Sequence, residues 1–190
     1  RDFCLSRGLG DVYKRQIYRQ VEAEEIHRSL FDAFIRRQVV TKCRRKVEDV
    51  WVVRDDPFID DWNEEDYSEL LEELRCIQKC GGVVYGAYDS GVLKGFAAVD
   101  GRAFGADHAY LDLVFLHVSA DVRGRGVGRT LFEMAAGWAA SRGARKLYLS
   151  AHSAVETQAF YSAVGCVEAE EYCPTHVEKE PFDCQMEYVL

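Results

Sequence analysis

Apolar and polar positions along this chain change period several times, and each change marks an element. Ile17-Tyr18-Arg19-Gln20-Val21 alternates and predicts a first strand. From Glu22 to Arg37 the apolar residues Ile26, Leu30, Phe31, Phe34 and Ile35 recur at helical spacing and predict one amphipathic helix. Trp51-Val52-Val53 reads as a short strand. Asp61 to Glu65 supplies Asp or Asn caps and early acids for a helix carrying Leu70, Leu71, Leu74 and Ile77, stopped by Gly81-Gly82. Val83–Tyr88 and Val92–Val99 flank Asp89-Ser90-Gly91 as a hairpin. Tyr110 to Ser119 is apolar nearly throughout, as a central strand covered on both faces should be. A glycine-rich loop follows, then a helix from Val127 to Ser141 with Leu131, Met134, Ala135 and Trp138 inward, stopped by Gly143. Lys146–Ser150 is the next strand, Glu156–Val164 a helix ended by Gly165, and Cys166–Tyr172 and Asp183–Leu190 alternate as terminal strands.

This alternation of helices and strands fits one α/β domain over residues 17–190, and a chain of 190 residues buries about 70% of its unfolded surface. No apolar stretch approaches the roughly 20 residues of a membrane span, so a soluble protein without a membrane partner is expected. Seven scattered cysteines, an odd number with no secretory signal before them, read as reduced thiols in a cytoplasmic protein. Cys76 and Cys80 lie one helical turn apart, but no second pair accompanies them at zinc spacing, and no metal site is expected. The net charge is −8, and between Glu48 and Glu73 twelve carboxylates face the single base Arg54. That excess argues against a nucleic-acid partner. The run Lys42, Arg44, Arg45, Lys46 lacks interleaved aromatics and reads as a solvated element.

Residues 1–16 stop abruptly before the first strand. Phe3 to Gln16 resembles translated adapter sequence from the ends of metagenomic fragments, which implies a non-native, disordered segment. A targeting peptide is the competing reading, and a hydrophobic centre for one is missing.

Chemistry concentrates at Arg123-Gly124-Arg125-Gly126-Val127-Gly128. Glycines between a buried strand and a helix let backbone N–H groups converge on an anion, the helix N-terminus adds positive charge, and Arg123, Arg125 and Arg129 surround the point. A diphosphate suits such a loop. A P-loop would need a lysine after the glycines, and a Rossmann fingerprint would need glycine where Arg129 stands. Arg123-x-x-Gly126-x-Gly128 instead resembles the Arg/Gln-x-x-Gly-x-Gly/Ala pattern of the GNAT (GCN5-related) N-acetyltransferases. The preceding strand ending His117-Val118 and the segment Ala159-Phe160-Tyr161-Ser162-Ala163-Val164-Gly165 resemble that family too, and order and spacing agree from Ile17 to Leu190. Two positions depart from the pattern. Cys166 stands where an aromatic residue usually follows the glycine, and Ala154 stands where an asparagine often precedes the tyrosine by seven residues.

The resemblance implies the GNAT fold, a mixed and mostly antiparallel sheet of six or seven strands flanked by helices on both faces, and acetyl-CoA as co-substrate. It implies that Leu116 and Val118 offer main-chain groups to the pantetheine and that the Val118 N–H meets the acetyl oxygen. Arg123 to Thr130 and Phe160 are its expected cofactor contacts. Tyr161 falls on the family's tyrosine near the sulfur, and a phenol matches a thiol in basicity as the leaving group's acid. Asp112 aligns with the catalytic glutamate of the family's histone acetyltransferases, and His117, with a pKa suited to neutrality, is the second candidate base. Five residues apart, these two fall on opposite faces of a regular strand. His152 and Glu156 are candidates to line the acceptor pocket. The acidic residues Asp55, Asp56, Asp60, Asp61, Glu64 and Glu65 would lie near the acceptor, which favours a cationic small-molecule amine such as an aminoglycoside-like or streptothricin-like antibiotic. A protein N-terminus or lysine remains an alternative acceptor, and a non-catalytic CoA-binding sensor an alternative class. Oligomeric state stays open, a homodimer included.

Overall fold

A computed structural model describes residues 16–190, and the expectation for the first sixteen residues lies outside the described residues but for Gln16. The chain forms β1 (Ile17–Gln20), two 3-10 turns, β2 (Gln38–Val47), β3 (Val50–Asp60), α1 (Glu64–Lys79), β4 (Val83–Asp89), β5 (Val92–Val99) and β6 (Tyr110–Val118). Then come α2 (Val127–Ser141), β7 (Lys146–Ala151), α3 (Val155–Val164), β8 (Val167–Glu168), α4 (Pro174–Lys179) and β9 (Cys184–Val189). Seven strands build the main sheet in the order β1-β4-β5-β6-β7-β9-β8. Among the described residues only β6 and β7 run parallel, as the crossover through α2 requires.

Both faces of the sheet are covered. On one, Leu131, Phe132, Ala135 and Ala139 of α2 pack against Ala97, Val99, Leu111, Leu147 and Leu149. Leu131 is fully buried, worth about 2 kcal/mol. On the other, Tyr67, Leu70, Leu71, Leu74 and Ile77 of α1 cover Val84, Phe96 and Ala98. The start of α1 is a capping box: the Asn63 side chain accepts from the Glu65 and Asp66 amides, and Asp66 accepts from the Asn63 N–H at 2.7 Å.

Three sequence expectations need correction. Glu22–Arg37 is not a helix but two short turns, Ala23–Glu25 and Arg28–Phe31, separated by an extended His27. Ile26, Phe31 and Phe34 are buried as the pattern anticipates, yet the backbone answers to tertiary bonds: Ile35 N–H donates to Ser119 Oγ at 2.9 Å and Ala120 N–H to Ile35 O at 2.8 Å. Gln38–Val47, which holds the basic run, is a strand, and the short strand expected at Trp51–Val53 is an eleven-residue β3 that pairs with it around Glu48-Asp49, both at positive φ in the manner of a type I′ turn. The basic run lies in β2, where Arg45 pairs with Asp56 and Lys46 with Glu168. Finally, Cys166–Tyr172 holds only the two-residue β8, and α4, unforeseen, follows it.

Candidate active site

Strands β6 and β7 stay paired over three residues only, the last being Asp112 opposite Tyr148, and then part. The cause lies in β6. Against β5 its register slips by one between Leu113 and Phe115, leaving Val114 as a bulge that bends the strand. Beyond the bulge, Ser119 N–H bonds to Lys94 O, so residues of that parity point their backbone groups at β5. Leu116 and Val118 have the opposite parity. Their main-chain groups therefore face the gap that β7 has left, inside a cleft of about 1070 Å³.

The same bulge overturns the alternation argument for Asp112 and His117. Leu113, Leu116 and Val118 pack on the α2 face, whereas Phe115 joins the cluster beneath α1 and His117 packs on Trp62 and Phe96, with ring centroids 4.9 and 5.5 Å away. Asp112, bonded to His176 of α4, lies on that same face. The two candidates share one side of the sheet because an inserted residue resets the alternation.

At one end of the cleft is the glycine loop. Gly124 and Gly126 hold φ of 76° and 84°, and Gly126 is the N-cap of α2. Thr130 N–H makes the bond to Gly126 O, so the amides of Val127, Gly128 and Arg129 before it have no intrahelical partner. A Cβ on Gly128 would touch the Phe160 ring and Val118 at 3.4 Å, which sets the wall of the groove. The arginines divide. Arg123 is a strut, donating from Nε to Val118 O and from Nη2 to Arg36 O, both at 3.0 Å. Arg129 reaches Ala163 O at 3.3 Å, the Thr130 hydroxyl reaches Gly126 O, and Arg125 is exposed. The loop and the splayed edge of β6 thus suit a diphosphate joined to an extended, amide-bearing arm.

Tyr161 enters the cleft from α3, its ring 5.2 Å from that of Phe160 and 6.4 Å from that of Phe132. Burial lifts its phenol above the usual range, so it is a proton donor at any working pH. Ala154, in place of the family's asparagine, is fully buried against Val40 and Cys43 of the β2–β3 hairpin, and Cys166 is buried in the α2-side core. At the other end, Trp62 carries the Arg36 guanidinium 4.9 Å over its ring, and Arg36 is paired with Asp60. His117 is held well below its usual range by burial, with Arg36, Arg123 and His152 adding to it. His152 is lowered by burial too. Both imidazoles are neutral at neutral pH. Glu156 lines the cleft alongside His152, and Asp61 does so beside Trp62, whereas Glu64 is engaged by Arg28 outside it.

Sequence reading missed the residues that α4 and the start of β9 contribute: His176, Glu180 and Asp183 all line the cleft. No local motif marks them. Burial and the neighbouring Glu180 push the Asp183 carboxyl up to about 7, against the opposing Ser150 hydroxyl at 3.4 Å. A carboxyl raised in this way keeps in the folded state a proton that the unfolded chain releases, so stability falls as pH rises from the ordinary carboxylate range to about 7. Asp183→Asn is therefore expected to raise the melting temperature most at pH 8, with a gain that shrinks towards pH 4. A gain of equal size at both values would remove the charge as its cause.

Comparison with known proteins agrees with this geometry. The family model described as "Acetyltransferase (GNAT) family" matches residues 47–166. Among solved structures, a nourseothricin acetyltransferase superposes with a TM-score of 0.64 at 19% identity, covering 92% of this chain and 98% of its own. A Bacillus anthracis protein assigned as a streptothricin acetyltransferase, in complex with acetyl coenzyme A, gives 0.67 at 16% identity, covering 93% and 98%. The PaiA N-acetyltransferase of Thermoplasma acidophilum, in complex with coenzyme A, gives 0.59 at 14% identity, covering 93% and 99%. No curated protein matches the chain. Identities this low speak for the fold alone, but the family model spans more than half of the sequence and includes the glycine loop, the parted strands and the Phe160-Tyr161 segment: the chain belongs to the GNAT acetyltransferase family.

Proposed function

We propose that this protein transfers the acetyl group of acetyl-CoA directly to a primary amine of a cationic small molecule, of the aminoglycoside or streptothricin kind. The carrying observation is the charge of the acceptor end, where Asp61, Glu156 and Glu180 line a cleft whose basic residues there are Arg36, already neutralised by Asp60, and Lys179. The Phe58 ring, which also lines the cleft, adds a face on which a cation can rest. In this reading the amides of Val127, Gly128 and Arg129 hold the pyrophosphate and Leu116 and Val118 pair with the pantetheine. The Val118 N–H receives the acetyl oxygen as charge builds on it, and Tyr161 protonates the departing sulfur.

The test is a panel of amines assayed for CoA release: streptothricins, aminoglycosides, polyamines, lysine peptides and peptide N-termini. Polycationic small molecules are expected to lead, with kcat/KM falling as salt screens the cleft. Asp61→Asn and Glu156→Gln should each raise the acceptor KM by about fivefold or less, the range of a single partly exposed charge contact, with kcat little changed. A preference for peptides would transfer the assignment to protein acetylation. Tight acetyl-CoA binding with no acetylated amine would leave a sensor domain.

A further inference from the structure

Asp112 and His176 form a half-buried pair that the roles above do not use. His176 Nε2 lies 2.6 Å from Asp112 Oδ2, the two side chains being 21% and 14% exposed. The pair joins β6 to α4 at the last position where β6 and β7 are still paired, which is the vertex of the cleft. We propose that His176 is the general base that takes the proton of the acceptor ammonium, and that Asp112 is its positioning residue.

Geometry argues for this division of labour. Asp112 is absent from the cleft wall while His176 is part of it, so the carboxylate stands behind the imidazole as seen by an acceptor. With Nε2–H donated to Asp112, the lone pair is left on Nδ1, and among the described residues Nδ1 has no partner. The ring is held from a second side. It lies 5.6 Å from the Tyr148 ring, and Tyr148 is itself fixed, donating to Gln185 Oε1 at 2.6 Å and accepting from the Cys173 N–H, just before α4, at 2.9 Å. A base whose ring lines the cleft, oriented by an acid behind it, is the arrangement that proton abstraction demands. Asp112 Oδ1 is buried without a partner among the described residues, so His176 is the group that answers this charge.

The surroundings tune the pair in a consistent direction. The Asp112 hydrogen bond lifts the His176 imidazole above its ordinary range, Glu180 adds to this, and burial and Lys179 oppose it. Burial raises Asp112, with Asp100 and Glu180 contributing, while His176 opposes. Tyr148, on β7, meets the ring with a neutral face. His117 lies on the same side of the sheet, but burial beside Arg36 and Arg123 makes it a poor proton acceptor.

The step rests on the amine-acceptor reading. An ammonium N–H bond breaks as Nδ1–H forms. The freed lone pair bonds to the acetyl carbon while the C–S bond breaks, Tyr161 gives its proton to the departing sulfur and regains one from the second amine N–H, and His176 gives its proton to solvent. One proton is released per turnover.

Two measurements test the proposal. In histidine-labelled protein, NMR titration should place His176 above the ordinary imidazole range and show it falling in Asp112→Asn. In steady-state kinetics with an amine accepted in the panel, the acidic limb of kcat/KM should follow that titration and move to lower pH in Asp112→Asn. His176→Gln should cost about 10²-fold at pH 7, a loss that shrinks towards the amine's own pKa, with acetyl-CoA affinity unchanged. A wild-type imidazole that titrates normally, or a limb that disappears with Asp183→Asn or His117→Gln instead, would overturn the assignment. A panel without any acetylated amine overturns both the amine reading and this role, whereas an acetylated amine with a profile indifferent to His176→Gln overturns the role alone.

Discussion

Gly126→Asp is expected to weaken acetyl-CoA binding by at least about 100-fold in calorimetry, the largest effect of any single change in the loop. Two costs combine. Gly126 sits at φ 84° as the N-cap of α2, a conformation that charges an L-residue about 1 kcal/mol or more. The new carboxylate then occupies the helix N-terminus, where it competes for the amides of Val127 to Arg129 and repels a diphosphate. Nothing lies within 4 Å of a Cβ built there, so the fold itself has room for the side chain. Gly126→Asn separates the terms, because asparagine tolerates the left-handed region and carries no charge. It should keep binding to within about tenfold. Equal losses in the two variants would mean that conformation, not anion recognition, makes the loop, and unchanged affinity in both would take the pyrophosphate elsewhere.

The second large effect is on turnover. Tyr161→Phe removes one hydroxyl from a ring that is only 7% exposed and is held by Phe132 and Phe160, so the cleft wall should survive the change. If the phenol delivers the proton to the leaving sulfur, kcat should fall by about 10³-fold while the acetyl-CoA dissociation constant stays within about twofold. Because burial lifts this phenol above its usual range, no basic limb from its ionisation should appear in the wild-type profile below pH 9. A fall in kcat/KM matched by loss of co-substrate affinity would reduce Tyr161 to a packing residue.

Features written locally were legible before any coordinates. The glycine loop is a contiguous run whose spacing answers to one strand-to-helix turn, and the strand before it and the Phe160-Tyr161 segment lie at family distances, so the co-substrate end could be read residue by residue. The acceptor end could not. His176 meets Asp112 across 64 positions of sequence, on a helix of six residues too short to leave a periodic signature. Alternation puts Asp112 and His117 on opposite faces only in an unbroken strand, and the bulge at Val114, an apolar residue among apolar neighbours, has no polar or glycine marker. Helical spacing named Ile26, Phe31 and Phe34, which are buried, together with Leu30, which is half-buried, and Ile35, which is exposed, because residues that dock on a sheet one at a time need no continuous helix to do so.

The parting of β6 and β7 has a consequence for the lifetime of the protein. A sheet interrupted at its centre lacks one strand's worth of partners along Leu116–Val118, and any molecule laid there restores the missing ladder. Bound there as proposed, acetyl-CoA would be a folding ligand as well as an acyl donor. At 100 times its dissociation constant it would add about 2.7 kcal/mol to the native state, enough to shift the unfolded fraction open to cellular proteases about 100-fold. The amount of this enzyme in a cell would then follow the supply of its own donor, rising when acetyl-CoA is plentiful and falling by turnover when it is scarce.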